Sequence, residues 1–131
     1  MGLDCYLYEA DPDKITAAYG FSCWDYDRGE PIGTEIAYWR KHFALDGWMM
    51  SLMHEKSGHV FPLPDPESVV IDLDDLNRLE ACIIKASDED WGRWSDELNG
   101  PSPDREDDLA IIAKARQSIA NKKTIYYYAS R

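Results

Sequence analysis

The chain opens with an alternation in which Leu3, Cys5 and Leu7 are apolar and Asp4, Tyr6 and Tyr8 are polar or amphipathic. A period of two marks a strand that buries one face. It predicts a strand over Gly2–Tyr8, ended by Asp11-Pro12-Asp13. Near the other terminus, Thr124-Ile125-Tyr126-Tyr127-Tyr128-Ala129 is β-branched and aromatic and predicts a second strand. The two are expected to pair in one sheet.

Between them the spacing turns helical. Thr34 is a competent cap, and Ile36, Trp39, Phe43, Leu45, Trp48, Met49, Leu52 and Met53 follow at roughly helical intervals. This predicts a long central helix from Glu35 to Gly58, weakened at Gly47. Ahead of it, Ala17, Tyr19, Phe21 and Trp24 fit a short helix, and Asp25 to Gly33 a loop. Behind it, Pro62, Pro64 and Pro66 predict an extended linker. Val69-Val70-Ile71 reads as a short strand, handing over at Asp72 or Asp74 to a helix with Leu73, Leu76, Leu79 and Ile83 inward. Asp104, Glu106, Asp107 and Asp108 open another, with Leu109, Ile112, Ala115 and Ile119 inward and Asn121 as its stop.

The order is strand, long helix, strand, helix, helix, strand. It lacks βαβ spacing, and its glycines form no phosphate loop. The expected fold is a single α+β domain over 1–131: a small antiparallel or mixed sheet, including both terminal strands, packed against about three helices.

Charge narrows the partners. The chain has 131 residues and a net charge of −11, which repels phosphate backbones and anionic lipid. Direct nucleic-acid binding is disfavoured, and no run is long enough to span a bilayer. Met1–Asp4 lacks a signal-peptide pattern, and Tyr6 stands where myristoylation needs Ser or Thr. The cytoplasm is the expected location. Cys5, Cys23 and Cys82 are odd in number and far apart, so neither a disulfide framework nor a zinc knuckle is expected.

Three constellations can carry chemistry. On the predicted central helix, Glu35, Trp39, His42 and Asp46 fall on one side, with Arg40 nearby. Carboxylate, imidazole and carboxylate suit acid–base work, or equally a solvated helix face. Two ligands, His42 and Asp46, do not make a metal site, and neither a metal nor a cofactor is expected. On the predicted sheet, Asp4, Tyr6 and Tyr8 share a face with Tyr126 and Tyr128. Phenols beside a carboxylate bind polar ligands or stack on bases, and cross-strand tyrosines also stabilise sheets outright. The third is an acidic arm carrying Asp88, Glu89, Asp90, Trp91, Trp94, Asp96 and Glu97. Carboxylates with tryptophan anchors suit a basic protein groove, unless the tryptophans tuck back onto the body.

Met1-Gly2-Leu3-Asp4-Cys5-Tyr6-Leu7 resembles the "MGLDMYL" start of a family of small proteins of bacteriophages and bacterial genomes. Glu35-Ile36-Ala37-Tyr38-Trp39-Arg40-Lys41 is similar to its "E-x-x-YWRK" segment, and Tyr126-Tyr127-Tyr128-Ala129-Ser130 resembles its aromatic "FYYxSSW" close. The chain departs from that pattern at Phe43 and Asp46, where the family has Asn and His. The resemblance implies a phage or prophage setting and no particular chemistry. It gathers Asp4, Tyr6, Tyr38, Trp39, Arg40 and Tyr126–Tyr128 as one expected cluster.

The first functional expectation is a phage-derived, non-enzymatic interaction protein that binds and blocks a basic surface of a host protein in a nucleic-acid-handling or defence complex. The alternative is a small enzyme or ligand-binding domain, with a pocket between the sheet tyrosines and the central helix. A structural or oligomer-forming component, with the sheet or the Trp-rich loops as a homotypic interface, is a third.

Overall fold

A computed structural model describes residues 3–59, 66–86, 91 and 105–130. The two terminal strands, β1 (Asp4–Ala10) and β6 (Thr124–Ser130), are central neighbours in a four-stranded sheet of order β4-β1-β6-β5. The outer strands are β4 (Thr34–Arg40) and β5 (Ser68–Ile71), and every pairing is antiparallel. A minor hairpin pairs β2 (Trp24–Asp25) with β3 (Glu30–Pro31). Among the described residues the helices are α1 (Phe43–Lys56), α2 (Leu73–Lys85) and α3 (Arg105–Ala120), and Trp91 is also helical. The fold class is therefore α+β. Among the described residues no helix is long and apolar enough to cross a membrane.

One expectation is overturned at the centre of the chain. Thr34–Arg40 is a strand, and the helix begins only at Phe43. A bulge accounts for the misleading spacing. The register runs Tyr6 to Tyr38 and Leu7 to Ala37, then skips Ile36 so that Tyr8 faces Glu35. The extra residue breaks the period of two and leaves Ile36 and Trp39 three apart, as on a helix. Lys41 then takes a left-handed φ of 56° and closes the strand. His42 caps α1, its Nδ1 accepting from the Leu45 backbone N–H at 3.3 Å.

Smaller corrections follow the same physics. Residues 14–33 hold no α-helix: a single 3-10 turn at Pro12–Lys14 leads into extended chain and the hairpin. Leu73, expected inward on α2, is exposed, because it is the first residue after the Asp72 cap. Asp72 and Asp75 form a reciprocal capping box there.

The sheet has two different faces. Cys5, Leu7, Ala37, Ile125, Tyr127 and Ala129 point toward the helices and join Leu45, Met49, Leu52, Leu76, Ile83, Ile112 and Ala115 in the main core. Tyr8, Ala10 and Tyr126 point the other way and are covered by Ile15, Phe21, Cys23 and Ile32. Strand alternation thus gives one face to the helices and the other to the segment between β1 and β4.

Candidate functional site

The outer face is paved with tyrosine. Strand pairing sets Tyr6 opposite both Tyr38 and Tyr128, and Tyr8 opposite Tyr126. Ring centroids lie 5.1 Å apart for Tyr6–Tyr38, 6.2 Å for Tyr6–Tyr128, 5.9 Å for Tyr6–Tyr8 and 5.2 Å for Tyr8–Tyr126. Separations of 4.5–7 Å are those at which aromatic pairs attract beyond simple burial.

The pavement is half roofed. Phe21 meets Tyr126 edge-on at 5.3 Å, and the Tyr126 hydroxyl donates to the Ile32 carbonyl. Burial raises the Tyr126 and Tyr8 phenols, Tyr8 to about 12. The other half is open. Tyr38 is 48% exposed, and its hydroxyl donates to Asp4 Oδ1 at 2.6 Å. That bond holds the Tyr38 phenol proton more tightly than usual. Arg40 lies opposite Asp4 in the register, at the same end.

Where roof and pavement part there is a trough of about 330 Å³. Tyr6, Tyr8 and Tyr128 form its floor, with Cys23, Trp24 and Pro31 across from them and Pro66 and Ser130 at one end. The Cys23 thiol is pushed up to about 12 by burial, so it is a neutral wall and not a nucleophile.

Among the described residues, the strand beside the open half is also unpaired at its outer edge. Lys41 N–H donates to the Leu3 carbonyl, so on β4 the alternate residues Trp39 and Ala37 face β1. The main-chain groups of Tyr38 and Arg40 therefore point away from the sheet. The opposite edge is covered: Gly20 N–H donates to Ser68 O and Val70 N–H to Ala18 O, both at 2.8 Å.

The residues expected on one helix face are dispersed. Glu35 and Arg40 are exposed on β4, with Tyr38. Trp39, His42 and Asp46 are instead on the core side. Asp46 is buried and accepts from the Tyr127 hydroxyl at 2.8 Å. Trp39 and His42 meet Asp108 on α3, which the sequence marks only as part of a helix start. Trp39 Nε1–H donates to Asp108 Oδ1 at 2.8 Å, and His42 Nε2 lies 2.8 Å from Oδ2. Trp91 Nε1–H donates to the same Oδ2 at 2.6 Å. With its Nδ1 already engaged, His42 has both ring nitrogens occupied and is 1% exposed. Among the described residues no pocket lies between the tyrosine pavement and α1, because Tyr6, Tyr8, Tyr126 and Tyr128 face away from the helices.

Trp91 is 4% exposed, so it is no surface anchor. The rest of the expected acidic arm, Asp88, Glu89, Asp90, Trp94, Asp96 and Glu97, lies outside the described residues. Asp72, Asp74 and Asp75 bring carboxylate oxygens within 4.8 Å of one another. Asp72 and Asp75 form the α2 cap, and Asp75 also pairs with Lys56 at 2.7 Å, so two of the three carboxylates are engaged by the fold.

No family model matches the chain, and no curated protein or solved structure is significantly similar to it. The fold and the tyrosine-paved face themselves carry the functional argument.

Proposed function

We propose that this protein is a non-enzymatic interaction domain that binds a basic surface of another protein through the open half of its tyrosine pavement. The observation that carries the reading is the juxtaposition of Tyr6 and Tyr38 with the Asp4 carboxylate and the outward main chain of β4. Rigid phenol rings give contact area at little entropic cost. A free strand edge offers main-chain hydrogen bonds to an extended segment. The net charge of −11 favours a basic partner. The interface then lies on the sheet and not on the acidic arm. The resemblance of the start, the "YWRK" segment and the aromatic close to phage proteins supports a host cytoplasm as the setting. There the bound surface would be one that otherwise handles nucleic acid or acts in defence, and binding would block it.

The test is comparative capture from host lysate by the wild-type chain and by a Tyr6→Ser/Tyr38→Ser variant. A basic protein is expected on the wild type, released at about 1 M salt where the Debye length is about 3 Å, and missing from the variant. If the variant, folded by circular dichroism, retains the same proteins as the wild type, the reading is wrong.

A further inference from the structure

The trough has a chemistry of its own. Its walls are phenol, indole, thiol and proline, with the neutral serines Ser22 and Ser130. Among the described residues no lysine or arginine lines it. Tyr6, which forms part of the floor, feels the negative charge of Asp4 and Glu35. Trp24, opposite, is 44% exposed and so accessible from solvent.

We propose that this trough is an aromatic cage for an organic cation with delocalised charge, either a quaternary ammonium or the guanidinium head of a basic side chain. Aromatic rings attract cations through the negative potential of their faces. Quaternary ammonium and guanidinium groups are poorly served by one carboxylate and well served by several rings, since their charge is spread over many atoms. An anionic ligand finds no counter-charge here and meets the field of an acidic protein. A small neutral ligand would gain from burial alone. At about 330 Å³ the trough sits at the lower end of ligand-site sizes. It has room for a cationic head group and its stem, and not for a folded domain.

The cage rests on the partner-binding reading for its setting, since a basic partner brings cationic side chains to this face. Its chemistry stands apart from that reading, because a free small-molecule cation would fill it equally well.

The experiment titrates the isotopically labelled protein with choline chloride, with its neutral carbon isostere 3,3-dimethylbutan-1-ol and with N-acetyl-arginine amide. The readouts are the Trp24 indole N–H and the Cys23 amide, with the Trp24 resonance assigned through Trp24→Phe. Choline or the arginine amide is expected to shift both resonances saturably and to bind at least about threefold tighter than the neutral isostere. Tyr128→Leu, which keeps an apolar side chain and removes the ring, should weaken the cation by about threefold to thirtyfold and leave the isostere nearly unchanged. Preference for the arginine amide identifies a partner's side chain as the source. Preference for choline identifies a free small molecule.

Equal binding of charged and neutral probes overturns the cage, as does absence of any shift at Trp24. The two readings fail separately. An arginine-rich peptide that shifts Tyr38 and Asp4 but not Trp24 would sink the cage and leave the docking face. Choline binding at Trp24 with no response of Tyr38 to any basic peptide would do the reverse.

Discussion

His42 and Asp108, 66 residues apart in the chain, meet at 2.8 Å in the core and join the start of α1 to the first turn of α3. The contact is one of three on a single carboxylate, the others being Trp39 and Trp91. Buried carboxylates persist only when such donors replace the water they have lost. Asp108→Asn should therefore destabilise by about 3–5 kcal/mol, since it removes the charge and turns an N–H group toward N–H donors. Urea denaturation followed by tryptophan fluorescence measures this. A loss below about 1 kcal/mol would mean that the network is not holding the helices.

Trp91 is the cheaper probe of the same hub. Trp91→Phe keeps the ring in its buried place and removes one hydrogen bond to a charged acceptor, a change of about 1.5–3 kcal/mol. Partner binding on the sheet face should be unaffected, because the hub lies on the opposite side. A variant that keeps full stability but no longer binds its partner would return Trp91 to the interface.

Stability should fall in alkali. A tyrosine in the unfolded chain loses its proton near 10.0, whereas native Tyr8 keeps its own up to about 12. Tyr126 and Tyr127 are raised in the same direction by burial. Above pH 10 the unfolded state therefore binds fewer protons than the native one, and stability decreases as pH rises. Below pH 10 all these phenols are protonated in both states and their contribution is complete. Each group adds a slope of about 1.4 kcal/mol per pH unit in its window. Tyr8→Phe should remove one such slope between pH 10 and 12, seen as a smaller drop in urea midpoint.

Cys23 should be a poor nucleophile. With its thiol pushed from 9.0 up to about 12, its thiolate fraction at pH 8 falls by on the order of a thousandfold. Alkylation by iodoacetamide, located by peptide mapping, should be slow at Cys23 in the native protein and fast after unfolding. Rapid native labelling would show that the trough wall is wetter than its burial indicates.

Lys41 offers a gain. Its φ of 56° costs a side-chain-bearing residue about 1 kcal/mol that glycine avoids. Lys41→Gly keeps the N–H that donates to Leu3 and should raise stability by about 0.5–1 kcal/mol. A lower urea midpoint would contradict this account of the strand-to-helix turn.

The terminal strands were legible in the sequence because each keeps one face apolar and one aromatic over its length. The shared face of Asp4, Tyr6, Tyr8, Tyr126 and Tyr128 followed from that period and from the antiparallel pairing. Thr34–Arg40 was not legible, because one bulged residue replaces the period of two by an interval of three. With that strand misread as helix, Glu35 and Asp46 looked like neighbours, although one is exposed on an edge strand and the other is buried. Asp108 was hidden for another reason. An acid in the first turn of a helix is ordinary, and nothing local marks it as the acceptor for Trp39, His42 and Trp91 from elsewhere in the chain. The one available signal was the surplus of indole and imidazole donors in an apolar setting, each of which must find an acceptor when buried.

The unfinished edge of β4 has a consequence for polymerisation. Sheets that end in long flat strands can recruit copy after copy and grow into fibrils. Here the regular outward alternation of Tyr38 and Arg40 is confined between the bulge at Ile36 and the left-handed turn at Lys41. A guest strand can seat two residues' worth of hydrogen bonds and then runs out of template. The regular stretch of edge is too short to be copied from chain to chain.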